Sequence, residues 1–457
     1  MKIDAVWMRK TQIVLCVLGV FLFLSCNPSP RFTYFDQYPE IFPDFIDVTV
    51  PESMTKEDGS IFTFQMLNGY EQKVERERRG DTLWFSVFAW PKGGKEGIQY
   101  RPFPIFVSRD EIDPYVVYRL IEPGYESWTH LSISQRELAS YDESPIVTNQ
   151  VNDQGCINCH SFQNGNPSCM LFHSRGKPSG TVFFQNGRIH CVDFLSIAPG
   201  KQASYPAWHP GGRYVAFSSN HTQQSFMMYG HQPIEVYDTE SDIILYDTER
   251  GVVLADSLLN TLQEWETFPA WNPQGDRLYY CMADSVGNPS TDRQRVHYRL
   301  MSIGFDERQG SFVGLPEEVP LGGLDLTCHS VSFPVLSGHY MMFTLTDYGT
   351  FPIWHDEADL WLLDLSTGEA RSLDELNSHS AESYHSFSSN GRWIVFGSRR
   401  LDGRYTRLFF SHLDEMGHFS KPFLLPQSCP EDNILRLKSY NRPEFVRGKV
   451  EGINQID

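Results

Sequence analysis

The stretch Tyr205-Pro-Ala-Trp-His-Pro-Gly-Gly-Arg-Tyr-Val-Ala-Phe217 decides the fold, because similar stretches recur along the chain. Each has an aromatic start, a turn rich in Pro and Gly, and a run of alternating apolar residues, the pattern of two antiparallel strands joined by a turn. Further copies begin at Phe268, Phe333 and Tyr384, at intervals of about 50 to 65 residues. Repeats of this size predict the four-stranded blades of a β-propeller.

The number of blades follows from the weaker copies. Tyr440-Asn-Arg-Pro-Glu-Phe445 is a faint further start, and an earlier unit begins near Leu171. Apolar segments such as Asp242–Asp247 and Asp359–Leu365 supply companion strands between the copies. These starts give five or six blades, and we expect six, over residues 169–457.

The preceding segment, residues 45–145, is also rich in strand-forming residues. Ile61–Met66, Thr82–Ala89 and Tyr115–Leu120 are β-branched and aromatic and are separated by turns that contain Gly, which predicts a small β-sandwich domain. A short helix is expected over Ser134–Tyr141, because Ser134 and Glu137 have the spacing of a capping box. The sequence as a whole therefore predicts an all-β protein.

The first residues have the pattern of an export signal. A basic start is followed by the apolar run Ile13–Leu24, which is too short to span a bilayer, and then by Ser25-Cys26. A small residue followed by Cys at this point is typical of a bacterial lipobox. We expect a signal peptide over residues 1–25, lipidation of Cys26 and a proline-rich tether over 26–44. The alternative is an ordinary signal peptide in which Cys26 is incidental.

Export of this kind predicts a lipoprotein of the bacterial cell envelope, at the outer membrane or in the periplasm, with lipid as its membrane anchor. Composition narrows the partners further. The 457 residues include 38 Lys and Arg against 57 Asp and Glu, a formal charge of −19, which repels nucleic acid. The Gly-x-Ser-x-Gly, His-Glu-x-x-His and Walker A patterns do not occur, so no catalytic residue is predicted. Whether the protein is an enzyme stays open at this point.

One motif carries chemistry. Cys156-Ile-Asn-Cys159-His160 has the Cys-x-x-Cys-His spacing of covalent haem attachment. On a helical turn, two thiols three residues apart add to the two vinyl groups of one haem, and the adjacent His becomes the proximal ligand of the iron. We therefore expect one haem c on the segment 146–168, with His160 as axial ligand. A thioredoxin-like dithiol, a zinc site and a plain disulfide between the two cysteines are the alternatives.

The sixth ligand of the iron is less well defined by sequence, because spacing does not report proximity in space. We expect His173 first, then His209, then Met170, although a lone His is more often a core or turn residue. In an enzyme, His209 or His329 would be a distal base. Cys169 and Cys191 are the further pair to test for a disulfide.

The repeats resemble the TolB-type propeller repeat, whose core is aromatic-Pro-x-Trp-Ser-Pro-Asp-Gly. Together with the lipobox, the segment Ile112–Tyr125 and Cys156–Phe162, they resemble a family of Bacteroidetes TolB-like propeller lipoproteins with a c-type haem motif. The resemblance implies the fold and the haem. It implies no secure biochemical function.

Three functions follow, in the order in which the sequence favours them. The first is a membrane-anchored mono-haem cytochrome that transfers electrons, with a redox partner or envelope protein docked on the propeller. The second is a haem-dependent enzyme or sensor, for example one resembling a peroxidase. The third is a binding module without catalytic activity, which recognises an envelope protein or glycan.

Overall fold

The computed structural model describes residues 2–9, 12–15, 31–33, 80, 82–90, 96–99, 103–122, 130–226, 234–429 and 431–456. The chain forms two compact units. The first comprises Met1–Glu111, Ala139–Tyr141 and Phe423–Arg436, and the second comprises Ile112–Leu138, Asp142–Pro422 and Leu437–Asp457. Among the described residues, no helix has the length and apolar character needed to cross a membrane.

The first unit contains one six-stranded sheet. Its strands are β1 (Lys2–Arg9), β2 (Gln12–Leu15), β3 (Arg31–Thr33), β4 (Thr82–Trp90), β5 (Glu96–Gln99) and β6 (Phe103–Phe106). Their order is β1-β2-β4-β5-β3, and β6 pairs with β4. The predicted strand at Thr82–Ala89 is confirmed as β4, whereas Cys26, the segment 61–66 and most of the apolar run before Cys26 lie outside the described residues.

The remaining strands form six sheets of four strands each. They are β7 (Tyr115–Ile121), β8 (Ser132–Glu137), β9 (Glu143–Thr148), β10 (Cys156–Phe162), β11 (Cys169–Arg175), β12 (Ser179–Gln185), β13 (Arg188–Val192), β14 (Ser204–Trp208), β15 (Tyr214–Phe226), β16 (Ile234–Asp247), β17 (Val252–Ala255), β18 (Glu264–Trp271), β19 (Arg277–Asp284), β20 (Arg299–Asp306), β21 (Ser311–Glu318), β22 (Ser330–Ser337), β23 (Tyr340–Thr346), β24 (Asp359–Asp364), β25 (Glu369–Ser372), β26 (Glu382–Phe387), β27 (Trp393–Ser398), β28 (Arg407–His412), β29 (Phe423–Leu424) and β30 (Ser439–Val446).

These sheets are the six blades of a propeller, which confirms the predicted fold. Blade 1 has the order β30-β7-β8-β9, and blades 2 to 6 run in chain order as β10–β13, β14–β17, β18–β21, β22–β25 and β26–β29. The first strand of each blade contacts the first strands of both neighbouring blades, so β10, β14, β18, β22, β26 and β30 enclose the axis. The late strand β30 pairs with the early strand β7 and closes the circle.

This closure corrects two expectations from the sequence. The strands β7, β8 and β9 belong to the propeller, which therefore begins near Ile112 rather than at residue 169. The segment predicted as a helix from Ser134 is instead β8, which pairs with β7 on one side and β9 on the other. A capping box contributes about 1 kcal/mol, and two flanking strand ladders outweigh it.

The described helices are short and connect strands. The α-helices are α1 (Phe194–Ile197), α2 (Pro289–Asp292) and α3 (Asp432–Leu435), and the 3₁₀ turns are Asn149–Asn152, Gln163–Gly165, Arg293–Arg295 and Pro352–Trp354.

The six inner strands share an irregularity at the same point. In each, the register with the second strand of the blade shifts, and one residue there has a positive φ of 44° to 52°. A non-glycine residue rarely adopts this conformation, because its Cβ crowds the backbone. We call these six residues the ring residues: Cys159, Tyr205, Phe268, Phe333, Tyr384 and Arg442.

The aromatic ring residues pack against one another at the propeller axis. The ring centroids of Tyr205 and Phe268 are 4.5 Å apart, those of Phe268 and Phe333 are 4.2 Å apart, and those of Phe333 and Tyr384 are 5.0 Å apart. Such contacts stabilise beyond the area that they bury, by about 0.5–1.5 kcal/mol per pair. In blades 3 to 6 the aromatic start of the repeat is therefore the residue that closes the axis, and its backbone strain is offset by this packing.

Candidate functional site

The Cys-x-x-Cys-His motif lies on β10, the inner strand of blade 2. The predicted helical turn is wrong, because Cys156, Ile157 and Asn158 pair in sequence with residues of the antiparallel strand β11. The segment 146–168 accordingly runs from the end of β9 in blade 1 through β10 of blade 2 and is not a separate attachment segment.

The motif is in fact a copy of the propeller repeat. Asn158-Cys-His-Ser-Phe162 occupies the place of Ser383-Tyr-His-Ser-Phe387 in blade 6, and Cys159 and Tyr384 have φ values of 49° and 51°. The shared His-Ser-Phe after the ring residue is a sequence signal of the repeat, and an aromatic start alone does not reveal it because Cys159 takes the place of the aromatic residue. Cys159 stands where four other blades have an aromatic residue.

His160 shares the environment of its counterpart His385. Both are buried, with side chains 1% and 5% exposed, and both occupy the position that is Pro after the ring residue in the other four blades. Burial, together with the charges of Arg442 and Arg119, lowers the pKa of His160 to about 3, and burial lowers that of His385 to about 4. Nε2 of each lacks a hydrogen-bond partner. Because His385 has no cysteine nearby in sequence, these features belong to the repeat position and do not point specifically to iron.

The two thiols face different surroundings. Cys156 is buried in the apolar cluster that blades 1 and 2 share, and its Sγ accepts a hydrogen bond from Nη2 of Arg119 at 3.4 Å. Cys159 is half-buried at the ring. Burial raises the pKa values of Tyr205 and Tyr384, and the nearby Cys159 raises both as well. A haem needs both thiols along one edge and the imidazole beneath its plane, so these residues do not fit a covalent haem in this strand conformation.

Two of the other predicted ligands, His173 and Met170, lie on β11 opposite Asn158 and Phe162 of the motif strand. His173, on β11, donates or accepts at Nδ1 with Oγ1 of Thr181 at 2.9 Å, and its Nε2 is buried without a partner. Burial lowers the pKa of His173 to about 3. Met170 is fully buried in the same apolar cluster as Cys156. His329 is partly exposed, with Nδ1 3.8 Å from Asp347.

His209 is a structural turn residue. Its Nε2–H donates to the carbonyl of Gly275 at 2.9 Å, and its Nδ1 accepts from the N–H of Gly211 at 3.0 Å. Gly275 has a φ of +79°, and a Cβ there would clash with Nε2 of His209. Nδ1 therefore holds the turn that contains His209, and Nε2 joins this turn to the turn of blade 4. Cys169 and Cys191, the further pair to test for a disulfide, are free thiols.

A funnel lies at one end of the axis. It has a volume of about 580 Å³, and the five ring residues other than Cys159 contribute to its floor. Its wall is formed by the residues two positions further along each inner strand: Ser161, Ala207, Ala270, Val335, Ser386 and Glu444. Five of these six are small, which leaves the space open above an aromatic floor.

The wall of the funnel is held by hydrogen bonds between blades. Nε1 of Trp208 donates to the carbonyl of Ser161 at 3.3 Å, and Nε1 of Trp271 donates to the carbonyl of Ala207 at 3.1 Å. In both cases the Trp of one blade bonds to a wall residue of the preceding blade. The repeated Trp thus fixes the wall.

Charge in the funnel is concentrated on blade 1. Nη2 of Arg442 donates weakly to the carbonyl of Pro206 at 3.5 Å, and its Nη1 has no partner among the residues that the structure describes. Oε1 of Glu444 accepts from the N–H of Phe162 at 2.9 Å. Burial raises the pKa of Glu444 to about 7, although Phe162 and Arg442 oppose that shift.

In the described part of the chain, no group of three or more His, Cys, Asp or Glu residues could hold a metal ion. Some acidic residues of the blades cap turns. Oδ1 of Asp247, for example, accepts from the backbone N–H groups of Glu249 and Arg250 and faces Arg213.

No protein-family model and no curated protein matches the sequence. Among solved structures, the chain is similar to a putative TolB from Agrobacterium tumefaciens, with 12% identity and a TM-score of 0.40 over 69% of this chain and 89% of that one. The propeller domain of the Trilobed protease from Pyrococcus furiosus gives 11% identity and a TM-score of 0.35 over 76% and 95%. An oligogalacturonate lyase in complex with manganese gives 11% and 0.36 over 67% and 72%.

At such identities the likeness concerns the fold alone. The chain is a six-bladed β-propeller whose structural neighbours include TolB-like proteins.

Proposed function

We propose that the protein is a binding module that takes a ligand or partner into the funnel of its propeller. The observation that carries this proposal is the arrangement of small wall residues around an aromatic floor. Pockets of several hundred Å³ with apolar walls and a few polar groups are the usual form of a ligand site. Of the three functions that the sequence favours, this is the third.

Two features of the wall support binding. The Trp hydrogen bonds between blades hold the wall in place, so little conformational entropy is lost when a ligand enters. The aromatic floor offers flat apolar surfaces, and Arg442 and Glu444 add charge at one side only. Such a site suits a rigid, partly polar ligand, such as a glycan or a side chain of an envelope protein.

The place of this binding would be the bacterial cell envelope. That part of the proposal depends on the lipobox sequence, since Cys26 lies outside the described residues. A lipid on Cys26 and a proline-rich tether would keep the propeller near a membrane surface.

Covalent haem on Cys156 and Cys159, and with it electron transfer or haem catalysis, stays a prediction of the motif spacing. The geometry of β10 does not favour it over the role of an inner strand, because His385 shows the same burial without a thiol beside it. No step of the proposed function depends on haem.

The test fills the funnel. Val335 lies on the wall, and Val313 is an exposed residue of the outer strand β21, so Val335→Trp and Val313→Trp are matched changes. The full chain and both variants are applied to an array of bacterial and plant oligosaccharides and to purified envelope proteins. Ser386→Trp fills the funnel from the neighbouring blade as a second variant, and the melting temperature of each variant shows that it is folded.

We expect ligands of the unchanged chain to be lost in Val335→Trp and Ser386→Trp and retained in Val313→Trp. Equal binding by all four chains would contradict the proposal, as would an unchanged chain that binds nothing in either set.

A further inference from the structure

Two arginines of blade 1 depart from the propeller repeat at neighbouring positions. Arg442 is the ring residue, and Arg119 on β7 pairs with Asn441, the residue before it. In the other five blades, the residues at the position of Arg119 are His173, Ser218, Cys281, Thr344 and Gly397. No other blade has a cation at its ring position, so the repeat itself does not require these two arginines.

Both guanidinium groups contain a buried nitrogen that finds no partner in the described part of the chain. Nη1 of Arg442 and Nε of Arg119 are buried and donate to no protein oxygen there within hydrogen-bond distance. Their existing contacts are weak, a carbonyl at 3.5 Å and a thiol sulfur at 3.4 Å. Elsewhere in the described propeller, Arg213 is paired with a carboxylate at 2.7 Å. A buried unpaired donor is costly, and more so on a charged group.

The charges of the two arginines affect the same two side chains. Burial lowers the pKa of His160, and both arginines lower it too; burial raises the pKa of Tyr384, and both arginines oppose that rise. The acid nearest in sequence, Glu444, forms no ion pair within 4 Å with either among the described residues, and its Oε1 is bonded to Phe162. Two adjacent cations without a paired carboxylate among the described residues destabilise the folded state. An anionic group of a ligand bound at the floor would relieve this repulsion.

We infer that the floor of the funnel is an anion site, in which Arg442 binds a carboxylate of the ligand and Arg119 supplies a second positive charge behind it. A guanidinium offers paired N–H groups that match the two oxygens of a carboxylate. The aromatic ring residues Tyr205, Phe268 and Tyr384 line the same funnel as Arg442, so the body of the ligand packs on flat apolar surfaces. The inference rests on the proposed function for the place of binding and adds the chemical class of the ligand.

Benzoate is a simple probe of this chemistry, because it joins a carboxylate to a flat apolar ring. Benzyl alcohol has nearly the same shape without the charge, and inorganic phosphate has the charge without the ring. Each is titrated at constant ionic strength into the full chain, and binding is followed by tryptophan fluorescence, since Trp208 and Trp271 line the funnel.

The variants restore the repeat. Arg442→Phe places an aromatic residue at the ring, as in blades 4 and 5, and Arg442→Gln is the second variant if the larger ring packs poorly. Arg119→Ser introduces serine, which is the residue at the equivalent position of blade 3, Ser218. Arg250→Gln removes one exposed positive charge from a turn between β16 and β17 and is the control for net charge.

We expect benzoate to bind the unchanged chain and Arg250→Gln alike, and the affinity to fall about tenfold or more in Arg442→Phe and Arg442→Gln. Arg119→Ser should weaken binding by a smaller factor. Benzyl alcohol that binds as tightly as benzoate, or Arg442 variants that keep the affinity, would overturn the inference. Binding of phosphate but not benzoate would overturn its assignment to carboxylates.

The outcome is separable from that of the proposed function. If Val335→Trp abolishes binding of a ligand that Arg442→Phe retains, the funnel binds but the anion site fails. If Val335→Trp has no effect on any larger ligand while benzoate binding depends on Arg442, the anion site stands and the proposed function fails.

Discussion

Blades 3 to 6 and blades 1 and 2 use the same strand geometry for different side chains at the axis. In blades 3 to 6 the ring residues are Tyr205, Phe268, Phe333 and Tyr384, which pack on one another. In blades 1 and 2 the same backbone position, with the same positive φ, carries Arg442 and Cys159. The two adjoining blades bear the backbone strain of the ring without the aromatic contacts that offset it.

The difference separates residues that build the fold from residues that are free to serve a function. An aromatic ring residue is explained by packing alone. A guanidinium with an unpartnered nitrogen and a thiol at equivalent positions are not explained by packing, since each contributes less apolar contact than the ring that it replaces. Departures from a repeat that fall side by side on adjoining blades therefore mark the functional part of the axis.

The largest expected effect compares the two kinds of ring residue directly. Phe333→Ala removes a side chain that lies 4.2 Å from Phe268 and 5.0 Å from Tyr384 between ring centroids. The free energy of unfolding should fall by about 3–5 kcal/mol, as for other buried aromatic truncations. Cys159→Ala should cost less than about 1 kcal/mol, because only one half-buried sulfur is lost. Denaturant unfolding of both variants measures the two changes.

A loss of stability in Cys159→Ala that equals that in Phe333→Ala would break the comparison. It would mean that Cys159 packs at the axis as an aromatic residue does.

The next effect depends on pH and tests whether His160 is an ordinary member of the repeat. Burial lowers the pKa of His160 to about 3 and that of His385 to about 4, so both stay neutral in the fold. Below about pH 6.5 each His binds a proton in the unfolded chain but not in the folded one. The free energy of unfolding therefore falls as the pH falls from 6.5 towards 4. Replacement of either by Pro, the residue of the other blades, removes this loss.

Relative to the unchanged chain, His160→Pro and His385→Pro should each gain up to about 1.4 kcal/mol per pH unit below pH 6.5. Urea unfolding at pH 7 and at pH 4.5 gives the two differences. Unequal slopes for the two variants would show that His160 has a role that His385 lacks. The comparison between variants cancels the opposite contribution of Glu444, whose raised pKa makes stability fall as the pH rises.

A smaller effect concerns the second strand of each blade. Oγ of Ser218 accepts from the N–H of the ring residue Phe268 at 2.9 Å and is fully buried. Ser218→Ala leaves that N–H without a partner and should cost about 1–3 kcal/mol. Arg119→Ser, at the equivalent position of blade 1, should change stability by less than about 1 kcal/mol, because the guanidinium has an unpartnered nitrogen already. Thermal melts of the two variants are the measurement, and a larger loss in Arg119→Ser would contradict a functional role for that arginine.

The propeller itself was accessible from the sequence, because the aromatic start, the Pro/Gly turn and the alternating strand recur with little change. The start at Tyr440 was visible but faint, since its ring residue is Arg442. Its partner strand β7 lies more than 300 residues earlier in the chain, and no local pattern reports a pairing over that distance. The sequence pattern therefore does not locate the start of the propeller, which lies near Ile112 rather than at residue 169.

The site was harder to predict for a related reason. Cys156, Cys159 and His160 have the spacing of a haem motif, and that pattern concealed the His-Ser-Phe that they share with blade 6. The anion site depends on Arg119 and Arg442, which are ordinary arginines in sequence. Only their register on β7 and β30 brings them together.

The most direct test of the account is the intact mass of the full-length protein after expression with a cytochrome c maturation system, measured under denaturing conditions. If Cys159 and His160 serve as ring and proline positions of an inner strand, the protein has its apo mass and is colourless. A haem adduct that survives denaturation, and is lost in the Cys156→Ser/Cys159→Ser double variant, would contradict the account and establish a cytochrome.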